Sequence, residues 1–103
     1  MAELMSNIQA IHLIAVNPEI RGGRAYIVDT TVTVADVVLT KHYHHLDADE
    51  IAEWYGLSLS QVYAALAYYY EHKSEIDQQI RAQIRKAETL QENRAGSRHS
   101  LLS

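Results

Sequence analysis

A chain of 103 residues has room for one domain around one modest core, and 48% hydrophobic against 21% charged residues is a globular rather than a disordered balance. It contains no cysteine, which excludes a disulfide framework and any thiolate metal site, and no apolar run approaches the roughly 20 residues that span a bilayer. The net charge of −4 is unevenly spread: Asp47, Asp49, Glu50, Glu53 and Glu71 fall in a stretch free of lysine and arginine, while Lys73, Arg81, Arg85, Lys86, Arg94 and Arg98 crowd the C-terminal third.

The start, Met1 to Asn7, lacks the basic and long apolar stretches of a signal peptide, so a soluble, cytoplasmic protein with no membrane contact is expected. Ile11 to Val16 is rich in β-formers and stops at Asn17-Pro18, a turn signal. Arg21-Gly22-Gly23-Arg24 is a second turn. It resembles a phosphate loop only superficially, because a strand rather than a helix follows and the Lys-Ser or Lys-Thr pair is missing. Ala25–Val28 and Val32–Val34, joined by the polar Asp29-Thr30-Thr31, read as a small β-hairpin.

The rest reads as helical. Thr33 with Asp36, Asp47 with Glu50, and Ser58 with Gln61 each form a capping-box pattern ahead of an apolar periodicity. Ser74-Glu75-Ile76-Asp77 is a fourth such pattern, so the chain either breaks near Lys73 and restarts or runs as one helix to about Glu92. Ile76, Ile80 and Ile84 continue an apolar stripe at intervals of four on an otherwise polar helix. With few elements left to cover it, that stripe is expected to be exposed and to form an oligomer or partner interface; the alternative is that the helix folds back on the hairpin.

The most specific spacing lies between Ala48 and Ala67. Ala52, Gly56 and Val62 stand where a helix-turn-helix places its small crossing residue, its turn glycine and its buried β-branched residue. The fold class expected is therefore mainly α: a three-helix core built on a helix-turn-helix, with a small N-terminal β-hairpin and a C-terminal helical extension. In these terms residues 1–10 are an N-terminal arm, 11–72 the hairpin and helix-turn-helix domain, 73–92 the oligomerisation or partner helix, and 93–103 a flexible tail.

If this unit touches DNA, the second helix would offer Ser58, Ser60 and Gln61, with phosphate contacts from Arg21, Arg24 or the C-terminal arginines. That helix brings no cation of its own, and Asp49, Glu50 and Glu53 precede it, so affinity for the phosphate backbone should be weak. His42, His44 and His45 ahead of Asp47 and Asp49 have metal-ligand chemistry, but their spacing suits a helix C-terminus better than a coordination shell. The tyrosines Tyr63, Tyr68, Tyr69 and Tyr70 point in several directions at helical spacing, which suits core and subunit contacts better than base stacking. No nucleophile sits in a recognisable catalytic motif. A binding module without enzymatic activity, metal or cofactor is expected.

The order of motifs resembles domain-of-unknown-function family 433, small prokaryotic proteins often described as antitoxin-like. The similar pieces are Asn17 to Arg24, Tyr26 to Thr30, Val32-Thr33-Val34, Ile51 to Leu57, Val62 to Tyr69, and His72 to Asp77. The departures are Ala25 and Thr33 in place of prolines, and Asp29-Thr30-Thr31 in place of a Gly-Thr-Arg triplet. The resemblance implies a helix-turn-helix protein whose gene often neighbours that of a PIN-like ribonuclease toxin. On that view the chain is a neutralising partner of that toxin and an autorepressor, while the isoleucine stripe predicts a homo-oligomer and the charge distribution weak DNA contact. The alternative from the residues themselves is a structural protein-interaction domain with no nucleic-acid role.

Overall fold

A computed structural model describes residues 6–102, and for residues 95–102 the helical backbone alone. The elements in chain order are β1 (Ile14–Ala15), a short 3-10 turn (Arg21–Gly23), β2 (Tyr26–Ile27), α1 (Val34–Tyr43), α2 (Ala48–Tyr55), α3 (Leu59–Glu71) and α4 (Lys73–Leu102). The protein is mainly helical, with a two-stranded antiparallel hairpin at one end and a long helix at the other.

The three expected capping boxes start α1, α2 and α3. Thr33 Oγ1 accepts from the Asp36 amide while Asp36 Oδ2 accepts from the Thr33 amide, both at 3.0 Å. Asp47 and Glu50 repeat the exchange ahead of α2, and Ser58 and Gln61 ahead of α3. Each box satisfies two donors that a helix start would otherwise leave to water.

Gly56 closes α2 with φ 68°, a left-handed conformation that glycine takes without a Cβ penalty. The Leu57 amide reaches back to the Ala52 carbonyl at 2.8 Å and the Gly56 amide to Glu53 at 3.4 Å, the double bond of a Schellman ending. The turn directs α3 across α1 and α2, and Ile51, Val62 and Ala65 are buried where the helices meet. A helix-turn-helix follows from these residues as expected. Around it, Val34, Ala35, Val37 and Val38 of α1 supply the centre of a core that Ile27 closes from the β side and Tyr69 from the far end of α3.

The β region is smaller than its composition suggests: residues 25–27 meet 32–34 as expected, through the Ile27 amide on the Val32 carbonyl at 2.9 Å and the Val34 amide on the Ala25 carbonyl at 3.0 Å, and a second pairing lies on their other side. β1 pairs with β2 in the register Ile14↔Ile27 and Ala15↔Tyr26, so the strand expected over Ile11–Val16 contributes two residues. The stretch from Val32 to Val34 joins β2 through a single Tyr26↔Thr33 bridge instead of a full strand, because Thr33 is taken as the N-cap of α1. The turn between them places Asp29 at φ 63°, where the family resemblance expects glycine. Thr30 steadies that turn, donating from Oγ1 to the Ile27 carbonyl at 2.8 Å and accepting from the Val32 amide at 3.0 Å.

The isoleucine stripe departs most from expectation. Ile76 is fully buried, Ile80 is 5% exposed and Ile84 packs against the same core half-covered. The chain breaks at His72, whose amide reaches the Tyr68 and Tyr69 carbonyls, both at 3.0 Å, and α4 turns back along α1. The stripe is therefore core, since α1 alone could not bury both its α3-facing and its opposite valines. Ile76 and Ile80 are thus covered within the chain instead of exposed as expected. α4 starts at Lys73, one residue ahead of the expected Ser74 cap, and its backbone stays helical past Asn93, where a flexible tail was expected. No proline interrupts that stretch, and the one glycine costs only about 1 kcal/mol. Half of the expected N-terminal arm, residues 1–5, lies outside the described residues, as does residue 103.

Candidate functional site

α3 buries one face and leaves another apolar. Val62, Leu66 and Tyr69, at spacings of four and three, point into the core, while Leu59, Tyr63 and Ala67, four apart, lie on the exposed side with Tyr63 58% accessible. Residues 10–14 run alongside, and the two segments enclose an open groove of about 950 Å³. Ile11, Leu13, Leu59, Tyr63, Ala64 and Ala67 make its lining mostly apolar, with His12, Ser60 and Glu71 supplying polar points. Where a DNA-reading helix would present cations and amides, this one presents tyrosine, alanine and leucine.

The residues expected to contact DNA are dispersed. Ser58 and Gln61 are held in their mutual capping box, with Ser58 Oγ accepting at 3.1 Å and Gln61 Oε1 at 2.8 Å. Ser60 is exposed and lines the groove. Arg21 and Arg24 lie in the turn before β2, apart from that groove. Arg24 Nε donates to the Arg21 carbonyl at 2.9 Å, and its side chain borders a separate depression of about 310 Å³ with Gln79, Ala82, Gln83 and Lys86 of α4. Arg21 Nε and the side-chain oxygens of Gln79 and Gln83 are buried without a hydrogen-bond partner among the described residues. Gln83 turns its Nε2 toward Asp36 Oδ1 at 3.4 Å, linking α4 to the first turn of α1.

The α3–α4 junction is a polar clamp. Tyr69 donates to Asp77 Oδ1 at 2.8 Å, Lys73 pairs with Asp77 Oδ2 at 3.1 Å, and the Lys73 ammonium stands 5.8 Å from the Tyr69 ring centroid. The Tyr69 hydroxyl, and after it Lys73, hold the Asp77 carboxyl below its ordinary value, while Asp77 raises Lys73. Burial and then the Asp77 bond push the Tyr69 phenol up, and burial followed by Glu75 does the same for Tyr68. The ring of His72 stacks on Tyr68 at 4.0 Å, so the break is filled on both sides.

The histidines diverge. The His42 ring meets the edge of Tyr69 at 5.9 Å, and His44 lies nearly parallel to Trp54 at 6.4 Å. His45 ends α1 in a left-handed conformation with φ 56°. Among the described residues no three histidines or carboxylates converge as a metal shell would require. Nor is any helix among them long and apolar enough to cross a membrane.

Two features escaped sequence reasoning. The groove depends on residues 10–14 and 59–71 meeting, and its available signal was that α3 is apolar on two faces, which implies two contacts. Trp54, 68% exposed on α2 beside Asp49, Glu50 and Glu53, was legible as an aromatic one step from an acidic i, i+4 pair.

The helical core, with its glycine turn and two-stranded hairpin, defines a small helix-turn-helix protein. Within that class the chain belongs to DUF433, a family described as protein of unknown function, whose model matches residues 14–69, more than half of the sequence. No curated protein and no solved structure matches the chain.

Proposed function

We propose that the chain is an antitoxin-like or regulatory binding module, cytoplasmic and self-associating, whose helix-turn-helix serves to dock a protein partner. The observation that carries this reading is the apolar groove on α3: a helix of this kind that contacts phosphate needs cations, and here it offers Leu59, Tyr63 and Ala67. An open, mostly apolar groove with a few polar points suits a peptide segment or helix of a partner. The family resemblance supplies the candidate, a PIN-like ribonuclease encoded beside it.

Co-expression with the product of such a neighbouring gene tests the reading. The pair is expected to co-purify, and Ala67→Arg is expected to weaken the complex at least ten-fold while leaving the helical melt unchanged. Equal affinity of parent and variant would refute the groove. Random duplex DNA at physiological salt is expected to bind no tighter than about 10⁻⁵ M. A weak phosphate contact has separate support in the Arg24–Lys86 depression, so replacing Arg21 and Arg24 by alanine should abolish whatever DNA binding is seen. Submicromolar binding that survives this change and the replacement of Arg81, Arg85, Arg94 and Arg98 would instead make the protein a DNA binder through α3.

A further inference from the structure

β1 is an edge strand with a bare outer side. In its register with β2 the Leu13 carbonyl takes the Val28 amide at 2.9 Å, so residues 13 and 15 turn their backbone groups toward β2. Successive residues alternate, and Ile14, with His12 and Val16, turns its N–H and C=O outward. The backbone groups of residues 8–12 form no backbone hydrogen bond among the described residues. Edges of this kind ordinarily carry charge or proline that stops them pairing. Residues 8–16, Ile-Gln-Ala-Ile-His-Leu-Ile-Ala-Val, contain no lysine, arginine, aspartate, glutamate or proline.

The α3 groove lies along this same edge, with residues 10–14 as one wall and the Leu59–Tyr63–Ala67 face as the other. It has the two parts that a slot for an added strand requires: a row of backbone donors and acceptors, and apolar surface beside it. Ile8 is 94% and Ile11 79% exposed, and Val16, Leu59 and Tyr63 are exposed with them. Together these five side chains leave on the order of 600 Å² of apolar surface in water, as much as a monomer ordinarily bares. Covered in two copies at once, that is about 1,200 Å², the area at which specific interfaces begin.

We infer that residues 8–16 pair antiparallel with the same residues of a second copy, about a two-fold axis at His12, and that each strand fills the other's α3 groove. Ile8 then stands opposite Val16 and Ala10 opposite Ile14. The outward backbone groups of the two strands meet, and one four-stranded sheet of order β2–β1–β1–β2 results. A centre at Ile14 would set Ala10 against Pro18, which has no N–H to give, and a centre at Ala10 would pair Ile8 with His12 instead of Val16. The inference rests on the reading of α3 as a docking surface and adds its regulation. The groove holds one occupant at a time, so a protein partner reaches α3 by displacing the second copy.

Because the chain has no cysteine, a single introduced thiol reports the register. The two position-12 Cα atoms would lie about 5.5 Å apart, within disulfide reach. His12→Cys is expected to cross-link into a dimer on mild oxidation, while Glu88→Cys on α4 stays monomeric. Sedimentation velocity of the full parent chain from about 1 to about 200 µM should show reversible dimerisation. Ile8→Lys with Ile11→Lys alters side chains already exposed in the single chain, so it should keep the parent's circular dichroism and weaken the dimer at least ten-fold. If that variant misfolds, Ala10→Pro, which removes one outward N–H, replaces it with the same expectation. A parent that is monomeric throughout, a variant that dimerises as the parent does, or His12→Cys cross-linking no faster than Glu88→Cys overturns the inference. The disulfide-locked dimer should fail to bind the product of the neighbouring gene. Binding by the locked dimer, or by a parent that never dimerises, overturns the inference and leaves the functional reading in place. A parent that dimerises and cross-links as expected yet binds no such product supports the inference and removes the partner reading.

Discussion

The two halves of α4 carry apolar residues at the same helical intervals yet do different work. In the near half, Ile76, Ile80 and Ile84 lie on α1 and belong to the core; in the far half, Leu90 stands among Lys86 and Arg94 in solvent. Spacing alone does not separate them. What separates them is whether the preceding turn aims the helix back at the domain, and the Tyr69–Lys73–Asp77 clamp at the break does that aiming. The near half is thus a fourth core helix, and the far half is surface.

The largest expected effect breaks the near half. Ile76→Ala should lower the unfolding free energy by about 2–5 kcal/mol in urea titration, the usual cost of a cavity at a fully buried site. Ile84→Ala should cost clearly less, since that side chain is half-covered. Equal losses at the two positions would mean that the helix does not dock as described. A smaller effect sits at the clamp. Asp77 has a depressed folded-state pKa, so its contribution is present above the unfolded value and is lost as pH falls through the folded one. Lys73 is raised, so its contribution is present below its unfolded value and is lost as pH rises through the folded one. Thermal melts against pH should show stability falling from about pH 4 downward in the parent, and Asp77→Asn should flatten that acid limb. An unchanged limb would remove the clamp from the account. The smallest effect belongs to the far half: Leu90→Ser should change monomer stability by no more than about 0.5 kcal/mol, measured at concentrations too low for association.

What the sequence disclosed follows from the range over which each signal acts. The caps at Thr33, Asp47 and Ser58 and the turn at Gly56 were legible because their partners lie within a few residues. Ala52 and Val62 were legible because a fixed turn length fixes their crossing. The core role of Ile76 and Ile80 was hidden, since the pattern marks an apolar face without saying what covers it. The pairing of β1 was hidden for a related reason: residues 25–28 bond to 32–34 on one side, as a short turn predicts, and to 13–15 on the other, a contact that no local signal marks. Of the candidate site, Ser60 was visible, but the groove needed two segments nearly fifty residues apart to meet.

The three reciprocal caps also bear on the order in which the chain acquires its shape. Each closes over three residues, a loop formed far sooner than the contact that brings Ile14 to Ile27 or α4 to α1. A helix that started one residue early or late would rotate its apolar face by about 100° and forfeit both bonds of its box. The rotational phase of α1, α2 and α3 is therefore set locally, before any of them has met a neighbour. Docking then becomes a search over positions of helices already correctly turned, which is a far smaller search and one that leaves few misregistered states in which to stall.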